Sequence, residues 1–318
     1  KRKHGRSHKS NKAHQAQGGT MKDLIIAHSP EYANWVFDPT HPTQGRRFIK
    51  GYESVILHAE AAGLTHETRE PVNVTREYLQ TVHAPAYVSQ VIDSHECSEW
   101  VGKRPDMAKL ANLFVGGTWV ALDALRHNET LTAVNLPGAK HHAMADRSSG
   151  FCVFADLILA AKDLRREDKK IAILDVDGHH GDGTEELAIS DPDILTYSIH
   201  HFGIFPGTGL KDNLLTNAYN WPLTKDSGDR ELMQGTNDFL DVVDGFRPDY
   251  IFVTGGADGH RLDPLTGLNY SIAGLEESMR MVRATYPTTP ILFGGAGGYQ
   301  PDGATPLAWA RMVTALAS

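Results

Sequence analysis

The sequence predicts an α/β protein with three layers, α/β/α, around a mostly parallel central sheet. Short β-rich apolar runs recur along the 318 residues, with patterns of helical spacing between them. The positions just past those runs are crowded with His, Asp and Gly, and in an open parallel sheet ligands collect at the carboxyl ends of the strands. No internal repeat of solenoid or propeller period competes with this reading.

Strands are expected at residues 24–27, 131–136, 171–176, 194–199, 250–254 and 290–293, where apolar and β-branched residues run together. Helices are expected at 107–127, 151–166, 229–243, 272–286 and 305–317, whose apolar residues return every three to four positions. Residues 1–20 are basic, polar and almost free of large apolar side chains. They read as a disordered tail or an expression remnant ahead of a natural start at Met21, with Lys1-Arg2-Lys3 as a localisation or anion-binding signal the lesser alternative. No linker follows, so residues 21–318 are expected to form one catalytic domain.

With 41% hydrophobic and 22% charged residues the chain can bury a large core. A formal charge of −8 opposes a general nucleic-acid binder, which needs a positive field, and favours small or basic substrates. Two cysteines, Cys97 and Cys152, are too few for a disulfide framework, and no apolar run has membrane-spanning or signal-peptide form. A reducing, cytoplasmic setting is expected, with no membrane or nucleic-acid partner and no oligomeric state specified.

The chemistry gathers at four run ends. Residues 175–183 read Asp175-Val-Asp177-Gly-His179-His180-Gly-Asp182-Gly, and in an extended segment Asp175, Asp177 and His179 share a side. Asp177 and His179, joined by Asp258 after the 250–254 run, make a His plus two carboxylates, donors suited to Zn²⁺ or Fe²⁺. Three ligands leave an open position, the mark of a catalytic metal that acidifies water and polarises a carbonyl, so hydrolysis is the expected use. Asp175 is surplus to that set and suits an outer-shell role or a monovalent cation.

His141 and His142, past the 131–136 run, are candidate proton shuttles, and Asp175 and Asp182 are available to orient them. Tyr299 follows a glycine-rich turn and offers a hydroxyl to an oxyanion, while Phe151 and Phe205 could line a narrow apolar passage. Each residue alone has a plainer reading. His200, His201 and His260 are taken as structural, Cys152 as core at a helix start, and the 294–298 glycine run lacks the spacing of a dinucleotide loop.

Together, His141-His142-Ala143 with Ser149-Gly150-Phe151-Cys152, the 175–183 motif, Phe205-Pro-Gly-Thr-Gly209, Gly256-Ala-Asp258 with Asp263-Pro264, and Gly297-Gly-Tyr299 closely resemble the histone deacetylase family in order and approximate spacing. The resemblance runs from about His41-Pro42 to Tyr299, and the bacterial histone deacetylase-like amidohydrolases are its nearest type. It implies an arginase/deacetylase-like fold and release of acetate from an N-acetyl lysine-like amide. It also implies zinc on Asp177, His179 and Asp258, although ferrous iron suits the same ligands. His142 would act as base and then acid, paired with Asp182; His141, paired with Asp175, would be its electrostatic partner; Tyr299 would polarise the carbonyl. Phe151, Phe205, Gly150 and Leu265 would line the substrate tunnel.

The resemblance further implies a structural potassium ion at Asp175, Asp177, His179, Ser198 and Ile199, and an acetate channel lined by Arg47 in the 41–47 loop. Departures are Gly178 in place of an apolar residue, Ala296 within the glycine run, and Ala139-Lys140 ahead of the histidine pair. The family's rim carboxylate has no evident counterpart. Leu265 stands where polyamine-specific relatives carry an acid, which favours a lysine-type substrate over a small acetyl-amine, the alternative on the same site. More distant alternatives are an inactive acetyl-lysine binder and an arginase-like two-metal hydrolase.

Overall fold

Apolar runs without polar alternation must be covered on both faces, and in the computed structural model, which describes residues 20–318, they are the inner strands of one eight-stranded sheet. Residues 1–19 of the expected tail lie outside the described residues. The strands are β1 (Leu24–Ala27), β2 (His66–Arg69), β3 (Thr132–Asn135), β4 (Ile171–Asp175), β5 (Ile194–His201), β6 (Ala218–Leu223), β7 (Tyr250–Thr254) and β8 (Ile291–Gly294). They lie in the order β2-β1-β3-β8-β7-β4-β5-β6, every neighbouring pair parallel. Every residue of β1, β3, β4, β7 and β8 is buried.

The two strands not expected from sequence are the two edges. β2 (HETR) is polar and partly exposed, and β6 carries Pro222, which the ladder tolerates because β6 pairs only with β5. Neither has the apolar signature of an inner strand.

Alternate strand residues feed two cores, one on each face of the sheet. One contains Leu174, Tyr197, Val253 and Phe293; the other contains Ile173, Phe252 and Leu292. The first is covered by α1 (Arg46–Ala61), α7 (Asp229–Phe246), α8 (Ile272–Thr285) and α9 (Ala304–Ala317). α5 (Asp156–Arg165) covers the second with the later turns of α4 (Pro105–Arg126), whose first turns pack on the other core. The remaining helices are α2 (Arg76–Leu79), α3 (Pro85–Ile92) and α6 (Asp182–Ala188). α7 shows the rule behind them: Leu232, Thr236, Phe239 and Val243, three to four residues apart, are its buried stripe. No helix among the described residues is long and apolar enough to cross a membrane.

Two of the expected boundaries that move lie next to the site. The 41–47 loop gives way to α1 at Arg46, and the helix expected from residue 151 begins only at Asp156. Gly150 and Phe151 have φ of 52° and 65°, a left-handed conformation that a right-handed helix cannot contain. Phe151 and Cys152 therefore belong to the turn before α5, with Ser149 and Cys152 bridged across it.

The buried carboxylate of Asp156 anchors the loop after β3. It accepts from Thr118 Oγ1 (2.6 Å), Ala139 N (2.9 Å) and Lys140 N (2.8 Å), fixing the backbone that leads into His141 and His142. Replacing it leaves buried donors without an acceptor. Asp156→Ala is expected to lower the free energy of unfolding by about 3 kcal/mol, read as a shift of the urea midpoint at unchanged slope.

Candidate metal centre and catalytic pocket

β4, β7 and β8 lie side by side, so the segments that leave their carboxyl ends meet. Beyond β4 the backbone is held by acids: Asp175 Oδ1 accepts from Asp177 N (3.0 Å), Asp177 Oδ1 from His179 N (2.9 Å), and Asp258 Oδ1 from Gly178 N (2.7 Å). Asp177 Oδ2 accepts from Gly297 N (2.8 Å), tying in the segment after β8. A side chain at Gly256 would bring its Cβ within 2.3 Å of Asp177 Oδ2, so that approach requires glycine. The departure at Gly178 has a local cause: a Cβ there would lie 2.5 Å from Thr266 Cγ2.

Asp177, His179 and Asp258 each offer one ligand atom within 4.8 Å of the others, all three buried. His179 Nδ1 lies 2.7 Å from Asp258 Oδ2 and 3.2 Å from Asp177 Oδ1. Burial and the Asp177 charge push the Asp258 carboxyl up to about 8. Burial opposes a charged His179, yet hydrogen bonds to both carboxylates carry its imidazole to about 11. Two carboxylates and an imidazole this close and this dry are a donor set that a divalent cation satisfies.

Asp175 Oδ2 accepts from His141 Nδ1 (2.7 Å). His142 Nδ1 donates to Asp182 Oδ1 (2.6 Å), and Asp182 is the first residue of α6. The two imidazole centroids are 3.9 Å apart. Burial, then the neighbouring His141, drives the His142 imidazole down to about 4 against the opposing pull of Asp182, leaving it neutral near pH 7. Burial also lowers His141.

His142, His179 and Tyr299 close the inner end of a pocket of about 370 Å³. Phe151, Phe205, Ile204 and Leu265 form its apolar walls, and Gly150 presents backbone to it. Burial raises the Tyr299 phenol well above its usual range, so its hydroxyl keeps its proton. Asp263 fixes the turn that carries it, accepting from Tyr299 N (2.8 Å) and Leu265 N (3.0 Å). Two pocket residues went unrecognised in the sequence: Ile204, the neighbour of Phe205, and Glu99, which accepts from Phe151 N (3.2 Å). Of the two, Glu99 is the polar one. It stands outside every motif, and nothing local in the sequence marks it.

The other expected residues lie around this centre. Ser198 is opposite Asp175 in the β4–β5 register, and both line a small cavity; Ile199 follows it, wholly buried. Arg47 projects from α1 to donate to Gly298 O (2.7 Å). His200 donates to Gly209 O (3.0 Å), while His201 and His260 accept from Gly267 N (3.2 Å) and Leu262 N (3.3 Å). Those three contacts hold loops.

Comparison with known proteins adds an independent line. A sequence model of the histone deacetylase domain matches residues 38–316. Among curated proteins the chain is 30% identical over 317 residues to the acetoin utilization protein AcuC of Bacillus subtilis, covering 92% of this chain and 81% of that one. It is 31% identical over 297 residues to a probable deacetylase of Methanothermobacter thermautotrophicus, covering 88% and 86%. Among solved structures, the HDA15 HD domain superposes with a TM-score of 0.82 at 22% identity, over 93% of this chain and 88% of that one, and so supports the fold.

The donor geometry generates an expectation independent of turnover. The full chain should take up one equivalent of Zn²⁺, and Asp258→Ala should weaken that uptake by on the order of 100-fold or more, as measured by competition with a chromogenic chelator. Two equivalents with comparable affinity would speak for a two-metal site.

Proposed function

The chain belongs to the histone deacetylase family, a deacetylase-type enzyme, and from that premise we propose that it is a zinc-dependent hydrolase of N-acetyl lysine-like amides, releasing acetate and a free amine. The observation that carries this reading is the His142–Asp182 pair, 2.6 Å apart, in the pocket that also holds His179 and Tyr299. Residues 21–318 are read as one catalytic domain. The two free, buried cysteines suit a reducing cytoplasm.

Asp177, His179 and Asp258 would hold the zinc, which when bound supplies a Lewis acid for the carbonyl and lowers the pKa of water. His142, neutral near pH 7 and held through Nδ1 by Asp182, accepts a proton from that water at Nε2. Asp182 then stabilises the imidazolium without itself taking the proton. His141, fixed by Asp175, lies beside the charge that develops. The Tyr299 hydroxyl donates to the carbonyl oxygen as negative charge grows on it. The water oxygen bonds to the carbonyl carbon, the tetrahedral carbon so formed collapses, the C–N bond breaks, and His142 returns its proton to the leaving amine. Phe151 and Phe205 flank the aliphatic stem of the substrate, Leu265 stands at the mouth, and Gly150 meets the stem through its backbone. A potassium ion at Asp175, Asp177, His179, Ser198 and Ile199 would offset the surplus acid.

Glu99 gives a second reading its specific support. A carboxylate beside the apolar walls of the pocket favours a substrate with an additional positive charge, as on a small acetylated polyamine, whereas Leu265 at the mouth favours the lysine-type amide.

Acetate release from an acetyl-lysine peptide and from an acetylated polyamine, measured side by side on zinc-loaded protein, separates the two. The peptide is expected to turn over faster, with chelation abolishing activity. Tyr299→Phe should reduce kcat by about 10²- to 10³-fold, the scale for losing one oxyanion donor. His142→Ala should cost about 10²- to 10⁴-fold. Preference for the polyamine selects the second reading, and silence on both substrates from folded, metal-loaded protein rejects acetyl-amide hydrolysis.

A further inference from the structure

The short helix α6 carries two acids three residues apart, Asp182 and Glu185, a spacing that puts them on one face. Asp182 orients His142. Glu185 meets a second histidine, one that the proposed reaction leaves idle: His180 Nε2 donates to Glu185 Oε2 (3.0 Å), and His180 Nδ1 lies 2.7 Å from Thr208 Oγ1. Burial opposes an ionised Glu185, yet hydrogen bonds from His180 and Asn220 hold its carboxyl below the ordinary range. His180 is itself buried, so this chain of bonds runs through the interior.

Thr208 belongs to the segment after β5 that supplies Ile204 and Phe205 to the catalytic pocket. Phe205 is 49% exposed, and its ring lies 5.0 Å from the His142 ring and 6.3 Å from the His179 ring, centroid to centroid. A ring with half its surface in water is not wedged by packing, so its position follows from how its backbone is held. That backbone is tied down on its far side. Besides Thr208, Gly209 O accepts from His200 Nε2 (3.0 Å), and Asn220 Nδ2 donates both to Lys211 O (3.2 Å) and to Glu185 Oε2 (2.9 Å). A Cβ at Gly209 would fall 2.4 Å from His180 Cδ2 and 2.7 Å from His200 Cε1, so the chain passes directly over the two imidazoles. Glu185 therefore reaches this segment by two routes, through His180 and through Asn220.

We propose that the His180–Glu185 pair, acting through Thr208, positions the Phe205 wall of the pocket and thereby sets affinity for the stem of the substrate. One helix thus aligns the base through Asp182 and the wall through Glu185. The identity of the stem rests on the deacetylase reading; the fixing of Phe205 does not. Thr208 and Glu185 are absent from the pocket lining, and so is His180, so all three are positioning residues. A displaced wall weakens the ground state and the transition state alike, which raises KM and spares kcat.

The test uses the full zinc-loaded chain and two zinc-chelating probes: acetohydroxamate, which has no stem, and octanohydroxamate, whose alkyl chain takes the place of one. Thr208→Val keeps the shape of the side chain and removes its hydroxyl. Calorimetry should show octanohydroxamate bound about tenfold more weakly by this variant, the scale of one lost hydrogen bond, with acetohydroxamate binding unchanged. KM for an acetyl-lysine peptide should rise in proportion while kcat stays within about threefold, and Thr208→Ser should restore both the affinity and KM. Equal weakening of the two probes overturns the proposal, as does an unchanged octanohydroxamate affinity in folded Thr208→Val. Should that variant not fold, Thr208→Ala is read by the same criteria. A wild-type chain that releases no acetate, with octanohydroxamate binding still lost selectively in Thr208→Val, refutes the deacetylase reading and leaves the positioning role standing.

Discussion

The interior of this molecule is organised by carboxylates that must be buried and must therefore be partnered. Asp156, Asp175, Asp177, Asp258 and Asp263 are all buried at the carboxyl-end side of the sheet. Each accepts backbone N–H groups or meets an imidazole. An unpartnered buried charge costs several kcal/mol, so these bonds dictate how the loops leave the strands, and the loops in turn set where the imidazoles and the phenol stand. The parallel sheet supplies the meeting point, since its inner strands all end on one side.

The bonds also explain why glycine and the acids occur together. Asp177 accepts from the N–H of Gly297 and lies against Gly256, and each contact is too close for a side chain. Glycine lets backbone serve as the outer layer of the site, where bulkier chemistry would push the donors apart. The pocket beside these donors has apolar walls, formed by Phe151, Phe205, Ile204 and Leu265.

Much of this was legible in the sequence, for identifiable reasons. Inner strands announce themselves because covering both faces demands uninterrupted apolar residues; β2 and β6 stayed hidden because edge strands escape that demand, and the proline in β6 reads as a strand breaker. The helix start near residue 151 was misjudged because apolar spacing continues through Phe151 and Cys152, while the left-handed turn at Gly150 and Phe151 is invisible to periodicity. The Asp–His–Asp cluster was readable because its residues follow within a few positions of strand ends. Glu99 depends on a contact between segments distant in the chain, which spacing does not encode.

Asp182 and Tyr299 differ in one respect with consequences over evolutionary time. Asp182 begins α6 as well as bonding His142, and an acid in a helix's first turn is favoured by the helix dipole whatever the chemistry nearby. The Tyr299 hydroxyl makes no hydrogen bond among the described residues, so the fold itself asks nothing of it. A descendant that abandoned hydrolysis would still be selected to keep the acid, while phenylalanine could replace the tyrosine without penalty to folding. Among lineages carrying this architecture, the phenolic oxygen is thus the more informative marker of an enzyme still at work, and an intact His–Asp pair can outlast the reaction it once served.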